Sequence, residues 1–183
     1  ANIIEKFTVA SDANGSDVGD LLSIGYGFAG QNSTTHGYVS GGDIPSSPTY
    51  SNVIQKFSFS VDGNATDVGD LTQNRFYVTG QSSENHGYTT SGAVHPTVDG
   101  SGYSNIIDKF AFASDGNASD VGDLSASARG SAAGQSSTTH GYTSGGGSPT
   151  VDTIDKFSFS VDGNATDVGN LTSAKQRTAG QQV

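Results

Sequence analysis

Short runs of alternating apolar and polar residues recur along the chain, and none is long or periodic enough to predict a helix. Residues 153–160 show the pattern most clearly. Phe157 and Phe159 fall on one face, Ile154 and Lys156 on the other, the two-residue alternation of a β-strand. The same Ile-x-Lys-Phe anchor stands at residues 4–7, 54–57, 107–110 and 154–157, so the chain repeats with a period of about fifty residues. Residues 56–69 are identical to residues 156–169, the mark of internal duplication.

Three further anchors follow in fixed order. Asp-Val-Gly begins at Asp17, Asp67, Asp120 and Asp167, each followed by a leucine two residues after the glycine. Ala/Thr-Gly-Gln centres on Gly30, Gly80, Gly134 and Gly180, and His-Gly-Tyr begins at His36, His86 and His140. Each anchor predicts one short strand. Asp-Gly-Asn-Ala-Thr between the first two predicts a turn. All four prolines, Pro45, Pro48, Pro96 and Pro149, fall in the one class of loop where repeat length varies, as expected of connections outside the sheets.

Four strands per fifty residues predict an all-β protein whose units are blades of a β-propeller. The order of signals resembles the kelch family. Kelch units place Gly-Gly after an aromatic-containing strand, as at Gly41-Gly42 and Gly145-Gly146. They then place an aromatic strand, as at Phe7, Phe57, Phe110 and Phe157, and an arginine before the innermost strand, as at Arg75 and Arg129. The resemblance implies a β-propeller of four-stranded kelch-like blades, about 3.5 to 4 per chain. It implies a single domain over residues 1–183, with repeats at approximately 1–52, 53–105, 106–152 and 153–183. Near-identical units of this kind are also similar to those of viral structural proteins, which points to a virion or extracellular setting.

Ala29-Gly30, Ala133-Gly134 and Ala179-Gly180 suit the innermost strand, where neighbouring blades crowd together. The expected count is four Ile-x-Lys-Phe strands, four Ala/Thr-Gly-Gln strands and three His-Gly-Tyr strands. The last innermost strand can complete the first blade of its own chain or that of a second copy, or the chain is a piece cut from a longer parent protein. The expectation is a homo-oligomer, a dimer before other states, formed by strand exchange at the chain termini.

Composition narrows the partners. The net charge is −10, with 18 acidic and 8 basic residues, so phosphate backbones are repelled and nucleic acid is not an expected ligand. No stretch approaches the roughly 18 apolar residues of a membrane span, and no membrane insertion is expected. With no cysteine, disulfides and thiolate sites are excluded. So is the crosslinked cofactor of a kelch-type copper oxidase. The sequence contains no Gly-x-Ser-x-Gly elbow and no phosphate loop. Its only glutamates are Glu5 and Glu84, so a carboxylate pair for glycoside chemistry would draw on turn aspartates. The protein is therefore expected to bind or assemble and not to catalyse.

Candidate chemistry falls into four groups. Asp12, Asn14, Asp62, Asn64, Asp115, Asn117, Asp162 and Asn164 space oxygen ligands at alternate positions, a pattern that can wrap Ca²⁺, although Asp and Asn are also ordinary turn residues. Apart from Ca²⁺ no cofactor is expected. His36, His86 and His140 are equivalent by repeat and would reach a shared metal only if they converged on an axis. Lys6, Lys56, Lys109 and Lys156 are expected to lie between sheets and pair with the aspartate of Asp-Val-Gly. Finally, residues that the repeat does not explain are the best binding candidates: Tyr50, Arg75, Tyr77, His95 and Tyr103, with Tyr26, Phe28, Phe76 and Arg177 beside them. Aromatic side chains in loops suit stacking on a sugar ring or a protein surface. A glycan-binding, lectin-like module is the alternative to a structural assembly module, and an enzyme with its site at the channel mouth is the third reading.

Overall fold

The computed structural model describes residues 1–45, 49–94, 102–125 and 128–180, which contain sixteen strands and no helix. A first, two-stranded sheet joins β1 (Ile3–Lys6) to β2 (Ser16–Asp20). The second sheet runs β3 (Ala29–Asn32), β4 (His36–Ser40), β5 (Val53–Ser58), β6 (Thr66–Asp70), each strand antiparallel to the next. A short strand β7 (Arg75–Phe76) follows. The third sheet is β8 (Thr79–Ser82), β9 (His86–Thr90), β11 (Ile106–Ala111), β12 (Ser119–Asp123), while β10 (Ala93–Val94) pairs with β7. The fourth sheet is β13 (Ala133–Ser136), β14 (His140–Ser144), β15 (Thr153–Ser158), β16 (Thr166–Asn170).

Each four-stranded sheet thus takes two strands from one repeat and two from the next. The Ile-x-Lys-Phe, Asp-Val-Gly and His-Gly-Tyr strands are present, as are three of the four expected Ala/Thr-Gly-Gln strands, while Ala179 and Gly180 lie outside any strand. The sheets are out of phase with the repeat boundaries. A repeat fixes a period and leaves its starting point free.

The third strand of each sheet organises the stack. In the second and third sheets this strand, β5 or β11, is covered on both faces, so its alternation sorts contacts by direction, not by core against solvent. Ile54 reaches forward onto the next sheet and packs with Tyr38 and Leu71 against Phe110. Ile107, Tyr88 and Leu124 do the same against Phe157 and Ala165. Phenylalanine faces backward, its ring lying over a glycine of its own sheet. A Cβ on Gly87 would come within 2.3 Å of the Phe110 ring. Ile54 and Ile107 are fully buried, and each buried aliphatic side chain of this size contributes roughly 1.5–3 kcal/mol.

The innermost strands β3, β8 and β13 stand side by side without a backbone ladder between them. They meet through small residues: a Cβ on Gly80 would lie 2.2 Å from the Gly30 carbonyl oxygen. Their edges are bridged by serine, with Asn32 N donating to Ser82 Oγ and Ser82 N to Ser136 Oγ, both at 3.0 Å. Gln31 Nε2 donates to Ser40 Oγ, Tyr88 O and Thr89 Oγ1. Gln81 Nε2 repeats the bond pattern with Tyr142 O and Thr143 Oγ1. The inner half of the stack is a buried ladder of amides and hydroxyls, the outer half an apolar core.

The outermost strands dock on the neighbouring turn. Asn64 Oδ1 accepts from Asp20 N, Asn117 Oδ1 from Asp70 N and Asn164 Oδ1 from Asp123 N, each at 3.0 Å. Lys6 pairs with Asp62, Lys56 with Asp115, and Lys109 with Asp162 at 2.6 Å. The expected partner, the aspartate of Asp-Val-Gly, is wrong. Its carboxylate folds back onto the amide of its own glycine, as Asp67 does with Gly69 N at 3.1 Å. The lysine instead crosses to the turn of the following sheet.

Candidate functional site

The non-repeated aromatic residues collect at one rim of the stack. Tyr26 bridges Asp43, and Asp43 bridges Tyr50. One repeat later Phe76 pairs with Ala93, and Ala93 bridges Tyr103. In the third unit the corresponding pair is Gly130 and Gly147. The rim therefore carries aromatic side chains over two units and bare backbone over the third. Ring centroids lie 4.3 Å apart for Tyr50–Phe76, 4.2 Å for Phe76–Tyr77, 6.0 Å for Tyr26–Tyr77 and 6.2 Å for Tyr26–Phe76. A Cβ on Gly130 would touch both Tyr103 and Tyr77, which places Tyr103 at the same cluster. Tyr77 is held at φ 53°, a left-handed conformation unfavourable for a bulky residue.

Tyr26 is the exposed member, at 54%. Its hydroxyl donates to Asp43 Oδ2 at 2.7 Å. That hydrogen bond, with desolvation and the carboxylate's charge behind it, pushes the Tyr26 pKa up to about 12. Burial chiefly, and then the charge of Asp43, raises that of Tyr50. Beside Tyr26 an open hollow of about 300 Å³ is lined by Ile24, Tyr26, Asp43, Ile44 and Pro45. It combines apolar walls, an aromatic face and one carboxylate, the mixture typical of a small-ligand site.

Of the residues singled out from sequence, Tyr50, Tyr77 and Tyr103 come together at this rim, joined by Tyr26 and Phe76. His95 lies outside the described residues. Arg75 is a correction. It is completely buried, its guanidinium paired with the equally buried Asp108 and donating to Ser91 O and Ile106 O at 2.9 and 3.2 Å. Burial pulls its pKa down and the Asp108 charge opposes that shift. Arg129 pairs in the same way with Asp155. These arginines clamp sheets and do not face a ligand. Asp43 escaped sequence reasoning. Its one signal was an aspartate directly after Gly41-Gly42, where the other units have alanine (Ala93) or glycine (Gly147).

The turn residues proposed for Ca²⁺ have other work. Asp62, Asp115 and Asp162 each hold a lysine ammonium, and Asn64, Asn117 and Asn164 each cap a backbone amide. A cation there would have to displace the lysine. Asp12 and Asn14, in the first turn, are exposed. Among the described residues no three His, Asp or Glu side chains gather as a metal-holding group. His36 and His140 cap the starts of their strands, with Nδ1 2.8 and 2.9 Å from Thr35 and Thr139 Oγ1.

Consecutive antiparallel sheets, stacked face to face with small-residue inner strands, define an all-β, propeller-like fold. No family model matches the chain, and neither does any curated protein. Among solved structures it is similar to YjhT, at 10% identity and a TM-score of 0.72 over 89% of this chain. The likeness is one of fold alone, and this chain spans 57% of that protein's length. Among the described residues no helix is long and apolar enough to cross a membrane.

Proposed function

We propose that the protein is a non-enzymatic binding module, built on a kelch-like propeller of about 3.5 to 4 blades per chain, and that its ligand is a carbohydrate held at the aromatic rim. A virion or extracellular structure is the setting that its near-identical repeats suggest. One observation carries the reading: Tyr26 with its equivalent Phe76, Tyr50 with its equivalent Tyr103, and Tyr77 are aromatic in the first two units and not in the third, and they meet at one place beside Asp43. Residues dictated by the repeat serve sheet stacking. The positive φ of Tyr77 recurs at Gly27, Ser131 and Arg177 and belongs to the repeat; the aromatic side chains gathered there need a different cause. A pyranose ring offers an apolar C–H face to a tyrosine and hydroxyls to a carboxylate, which fits Tyr26, Asp43 and the adjoining hollow. The carboxylates deeper in the stack, Asp108 and Asp155, are committed to arginine, which supports binding over acid–base chemistry.

The test is a glycan array probed with the purified chain, followed by titration of any hit against Tyr26→Ala and Asp43→Ala. Binding should fall about tenfold or more in each, since a stacking or charge-assisted contact contributes on the order of 1–3 kcal/mol. An array without hits, or hits indifferent to both substitutions, would overturn the proposal.

A further inference from the structure

The stack has a direction, and its two outer faces complement one another. In every Ile-x-Lys-Phe strand (β1, β5, β11 and β15) Ile and Lys lie on the forward face, while the residue between them lies on the backward face. That backward residue is Glu5, Gln55, Asp108 and Asp155 in turn. Opposite it stand groups of the preceding unit. Gln55 Oε1 accepts from Leu22 N at 2.7 Å. Asp108 accepts from Thr72 Oγ1 at 2.7 Å and from Arg75. Asp155 accepts from Ser125 Oγ and Arg129. Donor and acceptor thus change together. Where the preceding unit offers only an amide, at Leu22 with Gly25 behind it, the acceptor is neutral. Where it offers a hydroxyl and a cation, the acceptor is a carboxylate.

The next set of donors in this series is Thr172 and Lys175, again a hydroxyl and a cation, and both are exposed. The carboxylate they call for is at the other side of the stack: Glu5, also exposed. The outer latch shows the same remainder. Lys6, Lys56 and Lys109 each hold the turn aspartate of the next sheet. Lys156 makes no ion pair among the described residues, and Asp12 is the one turn aspartate of the four that holds no lysine there. The apolar contacts follow suit. Val168 is 46% exposed on the forward face, and Phe7 is 65% exposed on the backward face, although its equivalents Phe110 and Phe157 are buried.

We infer that the forward face of the fourth sheet docks the backward face of the first sheet on a second copy of this chain. The junction is head to tail, with Lys175 and Thr172 on the partner's Glu5 and Lys156 on its Asp12. Such a contact is heterologous, so it closes into a ring or continues as a row. The occupant follows from chemistry that the molecule already uses internally, the lysine–aspartate latch three times and the hydroxyl and cation on a carboxylate twice: the leftover donors match the leftover acceptors in type and order. This interface is a docking of faces and does not require strands to exchange. It rests on the stacking of the sheets and not on the rim's ligand, so a failed glycan assay leaves it standing, and the reverse.

Native mass spectrometry and light scattering at micromolar to tens of micromolar concentration test it. The unmodified chain should be at least dimeric. Lys175→Glu and Glu5→Lys, both at exposed positions, should keep the far-ultraviolet spectrum and, compared at concentrations low enough that all three chains are monomeric, the melting temperature of the unmodified chain. Each alone should weaken association about 100-fold by placing like charges together. An equimolar mixture of the two variants should recover the assembly that neither forms alone. Zero-length crosslinking of isotopically mixed chains should join Lys175 to Glu5 between chains. A monomer at every concentration, association unchanged by both variants, no recovery on mixing, or a crosslink found only within one chain would each overturn the inference.

Discussion

The junction between the first and second sheets and the junction between the second and third share one scaffold but opposite electrostatics. In the later junction Arg75 fills the interior beside Gly92 and pairs with Asp108. In the earlier one the equivalent backbone position is Gly25, and the space beside Gly42 is taken by the ring of Phe28, where a Cβ on Gly42 would lie 2.1 Å from it. A side chain on Gly25 would collide with the Asp43 carbonyl oxygen at 2.4 Å and the Phe28 ring at 2.6 Å. No cation fits there, so the buried acceptor across the junction is the neutral Gln55. A buried charge is tolerated only with its partner and hydrogen bonds in place, and the two junctions show both allowed solutions.

The comparison breaks hardest at Asp108. Asp108→Ala leaves the Arg75 guanidinium buried and uncompensated, and chemical denaturation should show a loss of about 3–5 kcal/mol. Gln55→Ala removes a neutral acceptor and strands Leu22 N, so the expected loss is smaller, about 1–3 kcal/mol. If the two substitutions cost the same, charge is not what separates the junctions. At the outer latch, Asp115→Ala gives up an ion pair whose carboxylate is 58% exposed. Solvent screening holds the effect below about 1 kcal/mol, decreasing further in salt.

The smallest effect concerns the rim that the neutral junction supports. Tyr26 ionises at about 12 because of Asp43, while an unfolded tyrosine ionises near 10. The stabilisation from this hydrogen bond is therefore complete below pH about 10 and is lost as pH rises through about 12. Tyrosinate absorbance in Asp43→Asn should show the Tyr26 transition moved down from about 12 toward 10, with Tyr50 following in the same direction because the Asp43 charge raises it as well.

Strand positions were legible because each anchor occurs three or four times, and turn residues separate the anchors. The phase of the sheets was not legible, because Ala29 to Ser40 pairs with strands of the following repeat. The lysine partner was misread for a related reason. Two aspartates per unit recur at fixed spacing, and only the stacking direction says which one faces the lysine. Arg75 looked like a ligand residue because the first repeat lacks it. The better signal was its companion, since Asp108 and Asp155 follow Arg75 and Arg129 while Gln55 follows Gly25. The rim was half legible: Tyr50, Tyr77 and Tyr103 stood out as exceptions, but their convergence on Asp43 depends on bridges between loops that composition does not encode.

The amide and hydroxyl ladder of Gln31, Gln81, Thr89 and Thr143 has a calorimetric consequence. Exposing apolar surface on unfolding raises heat capacity and exposing polar surface lowers it. A protein whose inner half is filled by such groups should unfold with a heat-capacity increment below the usual ~12–15 cal/mol/K per residue. Its free-energy curve against temperature is then broad and shallow, so the protein keeps nearly constant stability between a cold environment and a warm one.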